Sequence, residues 1–283
     1  TAGADAVGIG SALGAVDQRS WPQYLDALCS DAQRILTTGK SSNLSDSFLI
    51  TKRQMAYERH TVTGIEHYGA DTVILTLDGS LDCKAGQFAF LWIPGLGEKP
   101  FSVAHNQPLT FIIKNRGPFS DALCTLDVGS ELYLRGLYGE QLDNEITKKA
   151  LLLGGGTGVA VLPSLAEQLK RQGTDMTILV GTSEVVSGPA LLEDVLSEFG
   201  TFACIADDGK PGRVLELLDT IEVDAQMACY LVGPEIFMAI AARKLLERGI
   251  SEKRLYLSME RMTLCGIGLC GECACSDRLT CRW

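Results

Sequence analysis

Five of the ten cysteines in this chain lie within its last 19 residues, and their spacing strongly constrains how that segment folds. Cys265, Cys270 and Cys273 follow the pattern C-x4-C-x2-C, and Cys281 comes eight residues later. This spacing is typical of the four thiolate ligands of a plant-type [2Fe–2S] cluster. Glycines between the cysteines allow a tight loop whose backbone N–H groups point at the sulfurs. Cys275 is the fifth cysteine, and we predict that it is not a ligand.

Two other interpretations of this cysteine-rich end remain open. Four cysteines also bind zinc, although structural zinc sites of that kind usually contain two C-x2-C pairs. Thiols without any metal are the third interpretation. The remaining cysteines are scattered, at positions 29, 83, 124, 204 and 229. A secreted disulfide scaffold spreads its cysteines over a short chain, so the uneven distribution favours a metal site in a reducing cytoplasm.

Length, composition and charge exclude several classes of protein. A chain of 283 residues exceeds one typical domain, and we expect about two or three. Its 46% hydrophobic and 21% charged residues exclude a disordered or collagen-like chain. The net charge of −10 argues against nucleic acid or an anionic membrane as the partner. The longest uncharged stretch, residues 150–166, contains a glycine run and a proline, so we predict no membrane-spanning helix.

Hydrophobic periodicity predicts three segments ahead of the cysteine tail, which we define as residues 258–283. Residues 1–40 contain one strand and one helix. Residues 50–147 carry short β-prone runs between turn residues, which predicts an antiparallel β-barrel. Residues 148–257 alternate strands and helices, which predicts a doubly wound parallel sheet. The predicted strands are 62–65, 72–77, 87–93, 109–114, 131–135, 151–153, 177–180, 202–206 and 229–232, and the predicted later helices are 190–198 and 237–248.

A glycine run after the first strand of the predicted parallel sheet is a candidate nucleotide-binding loop. Gly155, Gly156, Thr157 and Gly158 lie between that strand and a helical stretch. Glycines let a phosphate approach the backbone, and the N-terminus of a helix favours negative charge. The alternative interpretation is a tight turn without a ligand.

Two later strands of the same segment are followed by further candidate residues. Gly233 and Pro234 come after the strand 229–232, and a doubly wound sheet binds nucleotides at the carboxyl ends of its strands. Glu184 comes after the second strand, where an acidic side chain accepts a hydrogen bond from the ribose 2′-hydroxyl and repels a 2′-phosphate. This favours NAD over NADP, and the alternative is a solvated helix start.

The predicted barrel contains two candidate flavin motifs. Residues 99–103 would begin a strand on which Phe101 packs against a flavin ring, Ser102 donates to a ring nitrogen and Lys99 neutralises a pyrophosphate. Gly117 and Ser120 would belong to a second phosphate loop. The alternative interpretation is ordinary turn and strand residues. The three histidines of the chain have no Ser/His/Asp arrangement around them, so a hydrolase has no support.

Residues 50–283 resemble the electron-transfer subunits of dihydroorotate dehydrogenase B, a family of ferredoxin-reductase-like flavoproteins. The motifs that carry the resemblance are KPFSVA at 99–104, LLLGGGTGVA at 151–160, DDGKPGRV at 207–214, VGPEIFM at 232–238 and MERMTLCGIGLCGEC at 259–273. The resemblance implies that the barrel binds FAD, that the parallel-sheet domain binds NAD(H) and that the cysteine tail holds a [2Fe–2S] cluster. Electrons would pass from NADH through FAD and the cluster to an FMN on a catalytic partner, in pyrimidine biosynthesis.

The resemblance also implies roles for individual positions. The flavin motif would comprise Lys99, Pro100, Phe101 and Ser102, with lysine where the family usually has arginine. The second flavin loop at Gly117 and Ser120 departs from the usual Gly-x-Gly-Thr pattern. The nicotinamide-side loop would comprise Gly155, Gly156, Thr157 and Gly158, and the cluster ligands would be Cys265, Cys270, Cys273 and Cys281.

The start of the chain resembles a different protein. Residues 2–13, AGADAVGIGSAL, resemble the last strand and phosphate-binding turn of the FMN-binding (β/α)8 barrel of dihydroorotate dehydrogenase. We therefore predict that residues 1–40 are the end of such a barrel and that the chain is part of a fusion. The implied partner is this catalytic barrel, fused or as a separate subunit of a hetero- or homo-oligomer. One strand and one helix cannot hold FMN, so we expect that this chain alone does not oxidise dihydroorotate.

The chemistry implied by the resemblance requires no catalytic side chain. NADH donates two electrons together and a [2Fe–2S] cluster accepts one at a time. A flavin can transfer either one electron or two, so it can connect them. Two alternatives remain: an electron-transfer subunit of an NAD(P)-linked ferredoxin oxidoreductase or hydrogenase, and a non-enzymatic zinc-binding interaction module.

Overall fold

The computed structural model describes residues 55–69, 71–139, 147–183, 187–207, 213–258, 261–275 and 278–281. These residues form an antiparallel sheet, a parallel sheet and a small hairpin in the cysteine tail. The antiparallel and parallel strand arrangements of the two large sheets confirm the fold class predicted from the sequence. The predicted strand and helix of residues 1–40 lie outside the described residues, and so does Glu184.

The antiparallel sheet contains seven strands in the order β4-β3-β7-β1-β2-β6-β5. Its strands are β1 Glu58–Tyr68, β2 Thr72–Leu77, β3 Phe88–Ile93, β4 Gly97–Ser102, β5 His105–Asn106, β6 Leu109–Lys114 and β7 Glu131–Tyr138. The short helix α1, Pro118–Cys124, lies between β6 and β7. The long strand β1 pairs with β7 through its first residues and with β2 from Val62 onward. The sheet therefore curls around one apolar core.

Alternation of apolar residues determines which face of these strands is buried. Val73, Leu75 and Leu77 of β2 are almost completely buried, at every second position. Each lies opposite a buried residue of β6, in the pairs Val73–Ile113, Leu75–Phe111 and Leu77–Leu109. These cross-strand pairs stabilise the sheet and fix its register, because a slip of one residue would expose the whole apolar set.

Several predicted strand boundaries in this sheet are wrong: β1 spans Glu58–Tyr68 rather than 62–65, and β7 continues to Tyr138 rather than ending at 135. We expected a strand to begin at residue 99, whereas β4 begins at Gly97 and ends at Ser102. Val103 and Ala104 are buried beyond its end, and the N–H of Ala104 donates to the carbonyl of Thr110 at 2.9 Å. After Ser102 the chain no longer pairs with β3 and turns toward β6. Strand β4 therefore ends at Ser102.

The parallel sheet contains five strands in the order β10-β9-β8-β11-β12. The strands are β8 Lys149–Gly155, β9 Asp175–Thr182, β10 Thr201–Ala206, β11 Ala228–Val232 and β12 Leu255–Ser258. The helices are α2 Leu162–Arg171, α3 Ser187–Leu196, α4 Val214–Leu218 and α5 Glu235–Glu247, and Gly156–Val161 and Glu252–Arg254 are 3-10 turns. The two predicted later helices correspond to α3 and α5, with boundaries shifted by one to three residues.

Helices cover both faces of the parallel sheet. Leu152 of β8 packs in the cluster that contains Leu165 and Leu169 of α2. Leu151 and Leu153, which point to the opposite face, pack in the cluster that contains α5. This two-sided burial explains why the strands are continuously apolar rather than alternating.

The two sheets contact each other through polar side chains. The N–H of Ala85, in the loop between β2 and β3, donates to the Gln168 side chain of α2 at 3.3 Å. The Tyr68 hydroxyl at the end of β1 donates to Asp194 of α3 at 3.1 Å. The cysteine tail adds a short hairpin of β13, Ala274–Cys275, and β14, Arg278–Leu279.

Within the described ranges, no helix combines the length and the apolar character that crossing a membrane requires.

Candidate cofactor and metal site

The loops after β8 and β11 lie at the point where the strand order of the parallel sheet reverses. From β8 the chain proceeds outward to β9 and β10 on one side, and it later returns to β11 on the other side. The crevice between the two loops is the usual ligand site of a doubly wound sheet. Four predicted site residues, Gly155, Gly156, Gly233 and Pro234, lie here.

The two loops are in direct contact because their glycines have no side chains. A β-carbon on Gly233 would lie 2.8 Å from the carbonyl oxygen of Gly155 and 3.0 Å from the Phe237 ring. Gly233 has a φ of 146° and Gly156 a φ of 67°, which L-residues with side chains rarely adopt. Gly155 and Gly233 are buried in this contact, and Gly156 is exposed beside it.

Gly154 has a different role from its two neighbours. A β-carbon on this residue would lie 2.7 Å from Leu162 and 3.3 Å from Val159, so the glycine allows the following helical turns to pack against β8. Thr157 and Gly158 lie in the 3-10 turn Gly156–Val161, which we had not predicted and which leads directly into α2.

The two predicted flavin motifs lie next to each other. Phe101 of β4 and Phe119 of α1 stack, with ring centroids 6.3 Å apart and an angle of 22° between the ring planes. Phe101 is half-buried against the barrel core rather than fully exposed. Lys99 is exposed on the same strand, and Pro100 and Ser102 are half-buried.

The Gly117 loop is closed by its own polar groups. The Ser120 hydroxyl accepts a hydrogen bond from the N–H of Arg116 at 2.8 Å and donates to the carbonyl of Gly117 at 3.1 Å. Asn115 accepts from the N–H of Gly117 and donates to Asp121. Ser120 therefore shapes this loop, and its side chain is buried.

The cysteine tail forms a compact loop in which backbone N–H groups point at sulfur. Leu269 and Cys270 donate to the Sγ of Cys265 at 3.3 and 3.4 Å, and Gly268 donates to the Sγ of Cys281 at 3.2 Å. Gly266, Gly268 and Gly271 adopt left-handed φ values of 75–79° that make this winding possible.

The four predicted ligands form two pairs. The Sγ atoms of Cys273 and Cys281 are 3.3 Å apart. The Cys270 thiol hydrogen-bonds to the sulfur of Cys265. Burial opposes ionisation of Cys265, but the backbone N–H groups around it outweigh burial and lower its pKa. Burial and the adjacent Cys273 raise the pKa of Cys281 to about 12.

The paired arrangement differs from a site for one metal ion. In the described parts of the chain, no three His, Cys, Asp or Glu side chains converge on a point that a single ion would occupy. Two thiol pairs suit a two-iron cluster, in which each iron takes two protein ligands. Cys275 lies outside both pairs, with its Sγ 3.9 Å from a guanidinium nitrogen of Arg261.

A buried ion pair that sequence reasoning missed connects the barrel to the cysteine tail. Arg135 of β7 is only 2% exposed and forms two hydrogen bonds with Glu98 of β4, at 2.6 and 2.8 Å. Burial opposes the charged form of Glu98, but hydrogen bonds from Arg135 and Tyr57 outweigh it and lower the pKa of that carboxyl. The same guanidinium donates to the carbonyls of Leu264 and Cys265.

Solved structures define the class of fold. A chain of the NADH-dependent reduced ferredoxin–NADP oxidoreductase matches with a TM-score of 0.67 at 23% identity, covering 76% of this chain and 80% of that one. The ferredoxin reductase of carbazole 1,9a-dioxygenase matches with a TM-score of 0.60 at 20% identity, covering 72% and 69%. The two-sheet architecture is thus the ferredoxin-reductase-like fold.

Curated relatives define the family. No protein-family model matches the chain. A protein from Thermoplasma acidophilum described as a probable dihydroorotate dehydrogenase B (NAD(+)), electron transfer subunit, is 33% identical over 204 residues, which are 71% of this chain and 77% of that protein. A protein of the same description from Pyrococcus horikoshii is 34% identical over 207 residues, which are 72% of this chain and 79% of that protein. The chain belongs to the family of dihydroorotate dehydrogenase B electron transfer subunits.

Proposed function

We propose that this chain transfers electrons from NADH, through FAD and a [2Fe–2S] cluster, to the FMN of a dihydroorotate dehydrogenase catalytic subunit. The observation that carries the proposal is that the paired cysteines lie against the sheet that contains the flavin motif. Gly139, next to β7, donates its N–H to the carbonyl of Cys281 at 3.0 Å. Strand β7 pairs with β3, which pairs with β4 and its Lys99 and Phe101.

The crevice between β8 and β11 suits the nicotinamide dinucleotide. Gly156 is exposed at the edge of the crevice, where a pyrophosphate would approach the backbone, and Thr157 and Gly158 begin the turn toward α2. Pro234 caps α5 on the opposite side of the crevice. Glu184 follows β9 in the sequence and selects NADH by accepting a hydrogen bond from the ribose 2′-hydroxyl.

The antiparallel sheet suits FAD. Phe101 and Phe119 provide an aromatic surface, Ser102 an adjacent hydroxyl and Lys99 a positive charge for the pyrophosphate. In the Gly117 loop Ser120 keeps the turn in shape, so phosphate contacts there come from backbone groups. When bound, FAD accepts the two electrons of NADH together and releases them singly, and the cluster accepts one at a time.

The cysteine tail suits a [2Fe–2S] cluster, with Cys265 and Cys270 on one iron and Cys273 and Cys281 on the other. The N–H groups that donate to the sulfurs of Cys265 and Cys281 stabilise negative charge on these sulfurs when a cluster is bound. Structural zinc sites with four cysteines usually contain two C-x2-C pairs, and this segment has only one.

The exposed apolar side chains of the cysteine tail support docking of the catalytic partner here. Met262, Leu264 and Leu269 are 69%, 50% and 53% exposed. An FMN-binding barrel that covers these side chains would exclude water from the cluster and shorten the path of the electron. The partner is either fused to this chain or a separate subunit.

Anaerobic reconstitution of the purified chain with iron, sulfide and FAD tests the proposal. We expect iron, sulfide and flavin in the protein, and bleaching of the flavin absorbance on addition of NADH. The reduced protein should then transfer electrons to an added FMN-containing dihydroorotate dehydrogenase barrel. A colourless protein that contains only zinc would contradict the proposal and favour the interaction module.

A further inference from the structure

The guanidinium of Arg135 is buried with an acceptor for each of its N–H groups. Its Nε and one Nη2 hydrogen are directed at the Glu98 carboxylate, and the other Nη2 hydrogen reaches the carbonyl of Leu264 at 3.3 Å. Its Nη1 donates to the Tyr138 hydroxyl at 2.6 Å and to the carbonyl of Cys265 at 2.9 Å. The five donors of the planar fork are thus all used.

The end of β7 holds the cysteine tail at both ends of its metal-binding loop. Arg135 binds the carbonyls of Leu264 and Cys265, at the first cysteine. A β-carbon on Gly266 would lie 2.9 Å from the Tyr138 ring, so this glycine lies flat on the aromatic face. At the last cysteine, the N–H of Gly139 donates to the carbonyl of Cys281.

Glu98 keeps this buried arrangement electrically neutral. A buried guanidinium without a partner would be strongly unfavourable, and the bidentate hydrogen bonds with the carboxylate offset that cost. The guanidinium carbon also lies 4.0 Å from the centroid of the Phe90 ring. Lysine cannot form the same set of hydrogen bonds, because its ammonium group lacks the planar arrangement of donors in a guanidinium.

We propose that Arg135 is a positioning residue for the iron–sulfur centre, fixing the backbone of the Cys265 ligand, and that Glu98 sets the charge next to it. This inference rests on the proposed function. Groups that orient metal ligands from outside the coordination sphere typically affect metal affinity by about 10- to 100-fold. A purely structural ion pair would affect folding stability and leave the properties of the bound cluster unchanged.

The test compares Arg135→Met, Arg135→Lys and Glu98→Gln after anaerobic reconstitution with ferrous iron, sulfide and FAD. Arg59→Met is the matched control, since Arg59 lies in the same sheet and its ion pair with Glu131 is exposed. The measurements are iron per bound FAD, the rate of iron loss to a ferrous chelator, and the midpoint potential of the cluster by electron paramagnetic resonance during a redox titration.

We expect Arg135→Met to lose iron about tenfold faster than the wild type or more, with Arg135→Lys between the two. Glu98→Gln should retain iron but raise the midpoint potential, because the positive charge beside Cys265 is no longer neutralised. Arg59→Met should match the wild type in every measurement.

If the variants bind FAD and match the wild type in iron loss and midpoint potential, this inference is overturned, whereas the proposed function is not affected. If Arg135→Met does not fold, Arg135→Lys and Glu98→Gln decide the question by the same criteria. Absence of iron from the wild-type protein would overturn the proposed function, and this inference with it.

Discussion

The carbonyl oxygen of Gly155 and the α-carbon of Gly233 are so close that a β-carbon on Gly233 would lie only 2.8 Å from that oxygen. Gly155 is the last residue of β8, and Gly233 directly follows β11. The two strands are neighbours in the sheet, although β9 and β10 lie between them in the sequence. The contact brings two backbone loops together at the reversal of the strand order, where the proposed dinucleotide site lies.

Gly233→Ala should weaken NADH binding by about tenfold or more, because the new methyl group pushes the two loops apart. The measurement is the Kd for NADH, with FAD content as a check on the other site. Gly173→Ala is the control: Gly173 also has a positive φ, but nothing lies within 4 Å of its β-carbon position. The control should lose about 1–3 kcal/mol of stability from backbone strain and still bind NADH normally. Equal NADH affinity in both variants would contradict this assignment of Gly233.

Cys270→Ser should abolish the visible absorbance of the cluster and its bound iron, whereas Cys275→Ser should retain both. The physical reason is that Cys270 pairs with Cys265, while Cys275 contacts Arg261. Iron and sulfide analysis after reconstitution provides the measurement. The same loss in both variants, or in neither, would refute the ligand assignment.

Lys99→Met should weaken FAD binding by about tenfold or more, since a hydrogen bond to a charged group contributes about 1.5–3 kcal/mol. Lys99→Arg should bind FAD at least as tightly as the wild type, because the guanidinium contacts phosphate through two donors. The Kd for FAD, measured by fluorescence at low and high salt, provides the readout. Lys84→Met is the control, because Lys84 is exposed and already paired with Asp82. If Lys99→Met and the control bind FAD equally, Lys99 does not contact the pyrophosphate.

Glu184→Ala should narrow the preference for NADH over NADPH, because the 2′-phosphate is no longer repelled. The ratio of flavin reduction rates with the two nucleotides measures the preference. This prediction rests on the sequence alone, since Glu184 lies outside the described residues. An unchanged ratio would remove Glu184 from the cofactor site.

Local sequence patterns were sufficient for the elements whose burial is determined by alternation. Strands β2 and β6 have the predicted boundaries, 72–77 and 109–114, because both are short runs of β-prone residues bounded by turn residues. Helix α1 was missed, because seven residues that begin with proline resemble a turn and the helix depends on packing of Phe119 and Leu123 against the barrel. The start of β4 was missed because it depends on pairing with β3.

The candidate site was predicted residue by residue but not as an arrangement. Glycine patterns indicated both Gly155 and Gly233, yet their contact follows from strand order, which is not a local property. Arg135 was not predicted at all. Its partners Glu98 and Cys265 are 37 and 130 residues away, and an arginine in a strand gives no sign of being buried.

The most direct test of the electron path is electron paramagnetic resonance of the anaerobically reconstituted protein, frozen after mixing with NADH. We predict that NADH bleaches the flavin and produces the signal of a reduced [2Fe–2S] cluster, which disappears in Cys270→Ser while flavin bleaching remains. Bleaching of the flavin without a cluster signal in the wild-type protein would contradict the account.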